Sequence, residues 1–97
     1  MYLVVSYWEP VPGREADFDR IGPQVGAVLR QQPGVMLVEV FKSGNKHVAV
    51  HGYQDEATYH AIVDNSSGAF VRAVTETRFE EVGRWLGSER GETLPIP

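Results

Sequence analysis

Hydrophobic positions along the chain change period several times, and each change marks an element. Tyr2 to Trp8 alternates, with Leu3, Val5 and Tyr7 on one face and Val4, Ser6 and Trp8 on the other, which predicts a strand. Both faces are mainly apolar, so each needs a cover. Glu9-Pro10-Val11-Pro12-Gly13 cannot continue a ladder and predicts a turn. From Arg14 to Gln32 the spacing becomes helical, with Phe18, Ile21, Val25, Val28 and Leu29 in one stripe. Gly22-Pro23 falls inside that stripe and predicts a kink or restart, because proline removes a helix hydrogen bond. Gln32-Pro33-Gly34 ends the helix.

Alternation returns in Val35 to Lys42, with Val35, Leu37, Glu39 and Phe41 on one face and Met36, Val38 and Val40 on the other. Ser43-Gly44-Asn45-Lys46 then predicts a hairpin turn. His47 to Gln54 is the next strand, with His47, Ala49, His51 and Tyr53 sharing one face. Asp55-Glu56-Ala57 is a helix start in which Asp55 can accept from first-turn amides. Tyr59, Ile62 and Val63 carry the helical period until Asn65-Ser66-Ser67-Gly68 interrupts it, where Ser66 or Ser67 can cap a second segment. Phe70, Val71 and Val74 resume an apolar face. A last strand is predicted over about Phe79 to Leu86, followed by a tail from Gly87 to Pro97.

The order β-α-β-β-α-β predicts a ferredoxin-like α+β sandwich, a four-stranded antiparallel sheet with its helices on one face. Ninety-seven residues make one domain, 1–97, with a core over about 2–86. Helices on one side leave the second apolar sheet face uncovered. The economical cover is a second copy, sheet against sheet, which predicts a homodimer.

Composition narrows the function classes. With 42% hydrophobic and 23% charged residues the chain is an ordinary globular one. Its net charge is −4, and the basic residues are scattered, which argues against a nucleic-acid partner. There is no cysteine, so thiol catalysis, disulfides and cysteine metal sites are excluded. No leader pattern and no apolar run long enough for a membrane span is present, so the expectation is a cytoplasmic protein with no membrane partner. The three histidines, His47, His51 and His60, show no recognised metal-ligand spacing, and no metal site is expected.

With that layout, the sequence resembles the antibiotic biosynthesis monooxygenase-like family of the dimeric α+β barrel superfamily. The resemblance covers about residues 2 to 86. It rests on the first strand ending in Glu9-Pro10-Val11-Pro12-Gly13-Arg14-Glu15-Ala16, the Gln32-Pro33-Gly34-Val35 stop, and the run from Gly52-Tyr53-Gln54-Asp55-Glu56-Ala57 through His60 to Phe70. It implies oxidation of an electron-rich aromatic or quinol-like molecule by dioxygen, with no metal or flavin cofactor. A related branch degrades haem, using an asparagine on the first strand and a tryptophan and a histidine on the second helix. Those positions hold Ser6, His60 or Asp64, and Val74 here, so haem is disfavoured.

The resemblance places the pocket between helices and sheet, and Ser6 and Trp8 should face it. Trp8 can stack on a flat ligand or serve as plain core. His51 and Tyr53 share a strand face whose side the pattern leaves open. If it is inward, His51 can take a phenolic proton and Tyr53 can donate to the developing oxyanion; if outward, both lie at an interface or surface. His60 matches a histidine common early in this helix among relatives, which implies a catalytic base; otherwise it is a surface histidine. Asn65 can line an opening or cap a helix, and Phe70 can wall the pocket or pack in the core. The leading expectation is a homodimeric cofactor-independent monooxygenase with His60 or His51 as base. The alternative is a dimer that binds a small aromatic molecule in the same cavity without turning it over.

Overall fold

Alternation along the chain builds four strands: β1 (Tyr2–Pro10), β2 (Val35–Ser43), β3 (Lys46–Tyr53) and β4 (Gly83–Glu92). The computed structural model describes all residues 1–97. The strands form one antiparallel sheet in the order β2-β3-β1-β4. Helices α1 (Glu15–Arg30), α2 (Glu56–Val63), α3 (Ala69–Glu76) and the single turn α4 (Phe79–Val82) complete the ferredoxin-like α+β sandwich.

The stripe on α1 is what docks it. Phe18, Ile21, Val25 and Leu29 are all buried, and burying side chains of this size contributes roughly 1.5–3 kcal/mol each. Acidic Glu15 and Asp17 lie in the first turn and Arg30 in the last, matching the helix dipole. The predicted restart at Pro23 does not occur, and one helix runs through it. Pro23 is exposed, while buried Ile21 and Val25 pin the turns on either side. The core divides in two. Tyr2, Val4, Leu29, Val38, Tyr53 and Tyr59 fill one end, and Phe18, Ile21, Val25 and Val82 fill the other.

Two irregularities re-aim side chains that strict alternation misplaces. A bulge between Val35 and Leu37 pairs Val35 with Tyr53, so Val35 joins the Val38 face instead of the Leu37 face. A second bulge shifts the β1–β4 register from Tyr7↔Gly87 to Trp8↔Trp85, which leaves Leu86 unpaired and sends Trp85 to the side of Trp8.

The C-terminal part also departs from expectation. Phe79 belongs to α4, not to a strand, and β4 runs from Gly83 to Glu92 where Phe79 to Leu86 was expected. Arg78, at φ 57°, turns the chain between α3 and α4. Gly83 then passes so close to Phe18 that a Cβ there would lie 2.5 Å from the ring. The interruption after α2 falls where the pattern puts it. Asp55 caps α2 by accepting from the Thr58 amide at 2.8 Å, whereas α3 starts at Gly68 with no side-chain cap from Ser66 or Ser67.

All helices lie on the Tyr2–Val4–Ser6–Trp8 side. The other sheet face carries Leu3, Val5, Tyr7, Leu37, Phe41 and Val50, and no element of the chain covers it; Phe41 is 52% exposed. No helix is long and apolar enough to cross a membrane.

Candidate functional site between the helices and the sheet

Registry across the sheet creates the site. Directly paired residues share a face, so the helix-facing side chains form rows running over all four strands. One row is Lys42, His47, Trp8 and Trp85; the next is Val40, Ala49, Ser6 and Ser88; the third is Val38, His51, Val4 and Arg90. The middle row is small at its centre, with Ala49, Ser6 and Ser88 side by side, and larger rows stand on both sides. Above it, α1 presents Gly22 and Gly26, one turn apart. Small residues on floor and roof leave a cavity of about 520 Å³, within the range of small-molecule sites.

Apolar side chains dominate the walls: Trp8, Phe18, Val25, Leu29, Phe70 and Val74. Trp8 packs on Phe79 with ring centroids 4.7 Å apart. Phe70, Val71 and Val74 come from α3, so the interruption after α2 is what lets α3 swing over the cavity. The polar groups are few and mostly tied to each other. Ser6 Oγ and Ser88 Oγ are 2.8 Å apart, and Trp85 Nε1–H donates to Ser88 Oγ at 2.9 Å. Arg90 Nη1 donates to Tyr59 Oη at 2.7 Å.

Two imidazoles stand in the outer rows, at opposite ends of the floor. They are four residue steps apart on an extended strand, about 13 Å between Cα atoms. His51 Nδ1 lies 2.6 Å from Tyr53 Oη. Tyr53 is completely buried, and His51 Nδ1 is its hydroxyl's one hydrogen-bond partner. Burial holds the phenol well above its ordinary value, so it keeps its proton, and with His51 Nδ1 its one partner that proton is satisfied only by donation. Nδ1 of His51 is therefore the acceptor, and the ring hydrogen sits on Nε2. Nε2 has no partner in the protein, yet no fully buried side-chain nitrogen is unpartnered, so Nε2 is not sealed off, and His51 lines the cavity. Burial also pushes His51 down to about 4, which keeps it neutral near pH 7. His51 thus offers the cavity a neutral N–H donor. With Nδ1 engaged by Tyr53, this arrangement sets His51 as a donor more than as the expected proton acceptor, and Tyr53, which does not line the cavity, stands behind His51.

His47 is 6% exposed and stacks on Phe18 at 3.9 Å between centroids. Its Nε2 lies 2.7 Å from Asp19 Oδ1, and Lys42 Nζ holds the other carboxylate oxygen at 3.0 Å. The His47 hydrogen bond, then that of Lys42, keeps the Asp19 carboxyl below its ordinary range. Alternation puts His47 on the face of His51, but nothing in the residue order pairs it with Asp19.

The other expected site residues fall as follows. Ser6, Trp8 and Phe70 line the cavity, with Ser6 in its floor. His60 does not line it. It lies exposed on α2, with Nδ1 2.9 Å from Asp64 and Nε2 3.2 Å from Glu56, so its expected role as base has no geometric support. Asn65 is exposed too and accepts from the Ser67 amide at 3.1 Å, a turn-forming bond and not a cavity contact. Val74, at the position of the haem branch's histidine, is a cavity wall without an iron-ligating atom. No three His, Asp or Glu side chains converge as a metal-binding group.

No family model matches the chain, and no curated protein does. Solved structures do match. SnoaB, a cofactor-independent oxygenase from Streptomyces nogalater, superposes with a TM-score of 0.78 at 13% identity, over 98% of this chain and 94% of that one. A protein described as an antibiotic biosynthesis monooxygenase matches with a TM-score of 0.78 at 15% identity, over 98% and 100%. A conserved protein of unknown function from Bacteroides thetaiotaomicron gives 0.76 at 12%, over 95% and 96%. The fold is that of the antibiotic biosynthesis monooxygenases.

Proposed function

We propose that the protein is a cofactor-independent monooxygenase that binds a small, flat phenol or quinol in this cavity and passes its electrons to dioxygen. The observation that carries the reading is the place of His51: a largely buried imidazole in the lining of an apolar pocket, with Nδ1 held by Tyr53 and Nε2 left free of any protein partner. As a donor, Nε2–H stabilises negative charge that spreads from an ionised phenol onto a conjugated oxygen at the other end of the ligand, and dry walls strengthen that interaction. A phenolate is electron-rich enough to reduce dioxygen directly, which needs no resident cofactor. Trp8 and Phe70 supply faces for stacking, and the fold shared with SnoaB adds support. A cytoplasmic setting suits the cysteine-free chain.

The test is dioxygen uptake by metal-free protein over a panel of hydroquinones and polycyclic phenols. Uptake above the autoxidation rate, reduced in His51→Ala, is the expected result. Absence of uptake with every compound, despite saturable quenching of tryptophan fluorescence, would favour binding without turnover. That second reading draws on one specific point: His51 is set up as a donor, so a base must be found elsewhere.

We also infer that the uncovered sheet face is closed by a second copy of the chain. Its apolar side chains span three strands, and a two-fold partner brings an identical apolar face. Sedimentation equilibrium should give twice the chain mass for the wild type and a lighter species for Phe41→Glu; a monomeric wild type would refute the pairing.

A further inference from the structure

We propose that Asp19 and His47 form the proton-accepting dyad of this cavity, with Nδ1 of His47 as the atom that takes the phenolic proton. The inference rests on the phenol-binding reading above and supplies the base which that reading lacks. Four observations converge. Asp19 Oδ1 lies 2.7 Å from His47 Nε2, and a carboxylate can only accept, so the hydrogen of a neutral ring sits on Nε2 and Nδ1 keeps its lone pair. Nδ1 has no partner in the protein, and since no fully buried side-chain nitrogen is left unpartnered, Nδ1 keeps some exposure. The space beside it is held open by a glycine: a Cβ on Gly22 would lie 3.5 Å from Nδ1, and both Gly22 and His47 line the cavity. Finally, the ring cannot swing away, because Phe18 stacks on it at 3.9 Å and Asp19 is itself tied to Lys42.

The step moves one proton and breaks no carbon bond. The phenol O–H bond breaks, the proton goes to Nδ1, and the imidazolium is balanced by the Asp19 carboxylate beside it. The electron pair stays on the phenolate oxygen. The orientation of a base by a carboxylate on its other nitrogen is a general device of acid–base catalysis. Here it arises between α1 and β3, from residues 28 apart in the chain.

The probe is 4-nitrophenol, whose yellow anion reports ionisation without any dioxygen chemistry. Wild-type protein at a pH just below the probe's own pKa should raise the bound anion fraction. His47→Gln keeps an amide donor for Asp19, and so the link between α1 and β3, but is not a base. It should bind the probe, as read by tryptophan quenching, with the anion signal lost. Asp19→Asn should reduce the anion signal. Gly22→Ala should abolish it without loss of thermal stability, because alanine favours the helix and the added methyl makes only an ordinary contact while occupying the space beside Nδ1. If uptake is measurable with a hydroquinone, His47→Gln should lower kcat by ~10²–10⁴-fold. An anion signal identical in wild type, His47→Gln and Gly22→Ala would overturn the dyad, even if dioxygen uptake persists. The expected signal without uptake would sustain the dyad and remove the oxygenase reading. A probe that neither quenches nor ionises would overturn the dyad together with its phenol premise.

Discussion

Tyr53 and His51 face the same way on β3, two residues apart, and the buried hydroxyl of one fixes the ring tautomer of the other. Tyr53→Phe removes the donor and leaves a largely buried imidazole nitrogen unpaired. The expected cost is about 1–3 kcal/mol of stability, read from urea unfolding. In the wild type, nitrogen-15 spectra of His51 should show the Nε2–H tautomer; an Nδ1–H signature would contradict the donor role.

Burial of His51 makes stability depend on pH. Its native value is about 4 against 6.5 for the unfolded side chain, so between those values the unfolded chain binds more protons. The contribution is fully present above 6.5 and is lost as pH falls toward 4, by as much as about 3 kcal/mol. His51→Gln should flatten this part of the stability profile. Superimposable profiles for wild type and variant would show that the ring is better solvated than its surroundings indicate.

His60 gives the opposite slope. Hydrogen bonds to Asp64 and then Glu56 raise its value above the ordinary one. Its contribution is present below 6.5 and is lost as pH rises through the native value. His60→Ala should therefore destabilise more at pH 6 than at pH 9 and leave ligand binding unchanged. Loss of 4-nitrophenol quenching in this variant would return His60 to the site.

Ala49→Leu tests the floor. The longer side chain rises from the centre of the small row into empty volume, so the far-ultraviolet circular dichroism should be preserved. Saturable quenching by hydroquinones should weaken at least tenfold. Retained binding would mean that ligands sit elsewhere.

Gly83→Ala tests the packing at the start of β4. The new Cβ would meet Phe18 Cε1 at 2.5 Å and Cδ1 at 2.8 Å, and Phe18 is 1% exposed, with no room to retreat. Forcing such an overlap costs typically 1–3 kcal/mol, and the urea midpoint should fall accordingly. An unchanged midpoint would show that β4 can slide away from α1.

Much of the architecture was legible because the alternating and helical periods are clean. The faces of β1 and β3, the stripe on α1, the Asp55 cap and the interruption after Val63 all follow from residue order. What escaped depends on partners. The inward turn of Trp85 comes from a bulge that exists only relative to β1. The extension of β4 to Glu92 comes from pairing Tyr2 with Glu92, through glycine-rich sequence with little strand character of its own. Pro23 is tolerated because its neighbours are buried. For the site, Ser6, Trp8 and Phe70 could be read from alternation and resemblance. Asp19 could not be paired with His47 from sequence, because the crossing of α1 over β3 sets that distance. His60 drew attention by resemblance, yet the α2 surface turns it toward two carboxylates.

A planar molecule lying along β3 would meet unlike ends: an N–H donor at His51 and an open lone pair at His47, with a stem of small residues between them. Turned end for end, its phenol could accept from His51 but would meet no base, and the lone pair of His47 would go unused. If the oxygenase reading holds, an unsymmetrical substrate would be read in one direction, and the same ring carbon would be presented to dioxygen in every turnover. A single regioisomer should be formed from a compound whose two ring positions are equally reactive in water, and the polarity of one strand would be the origin of that choice.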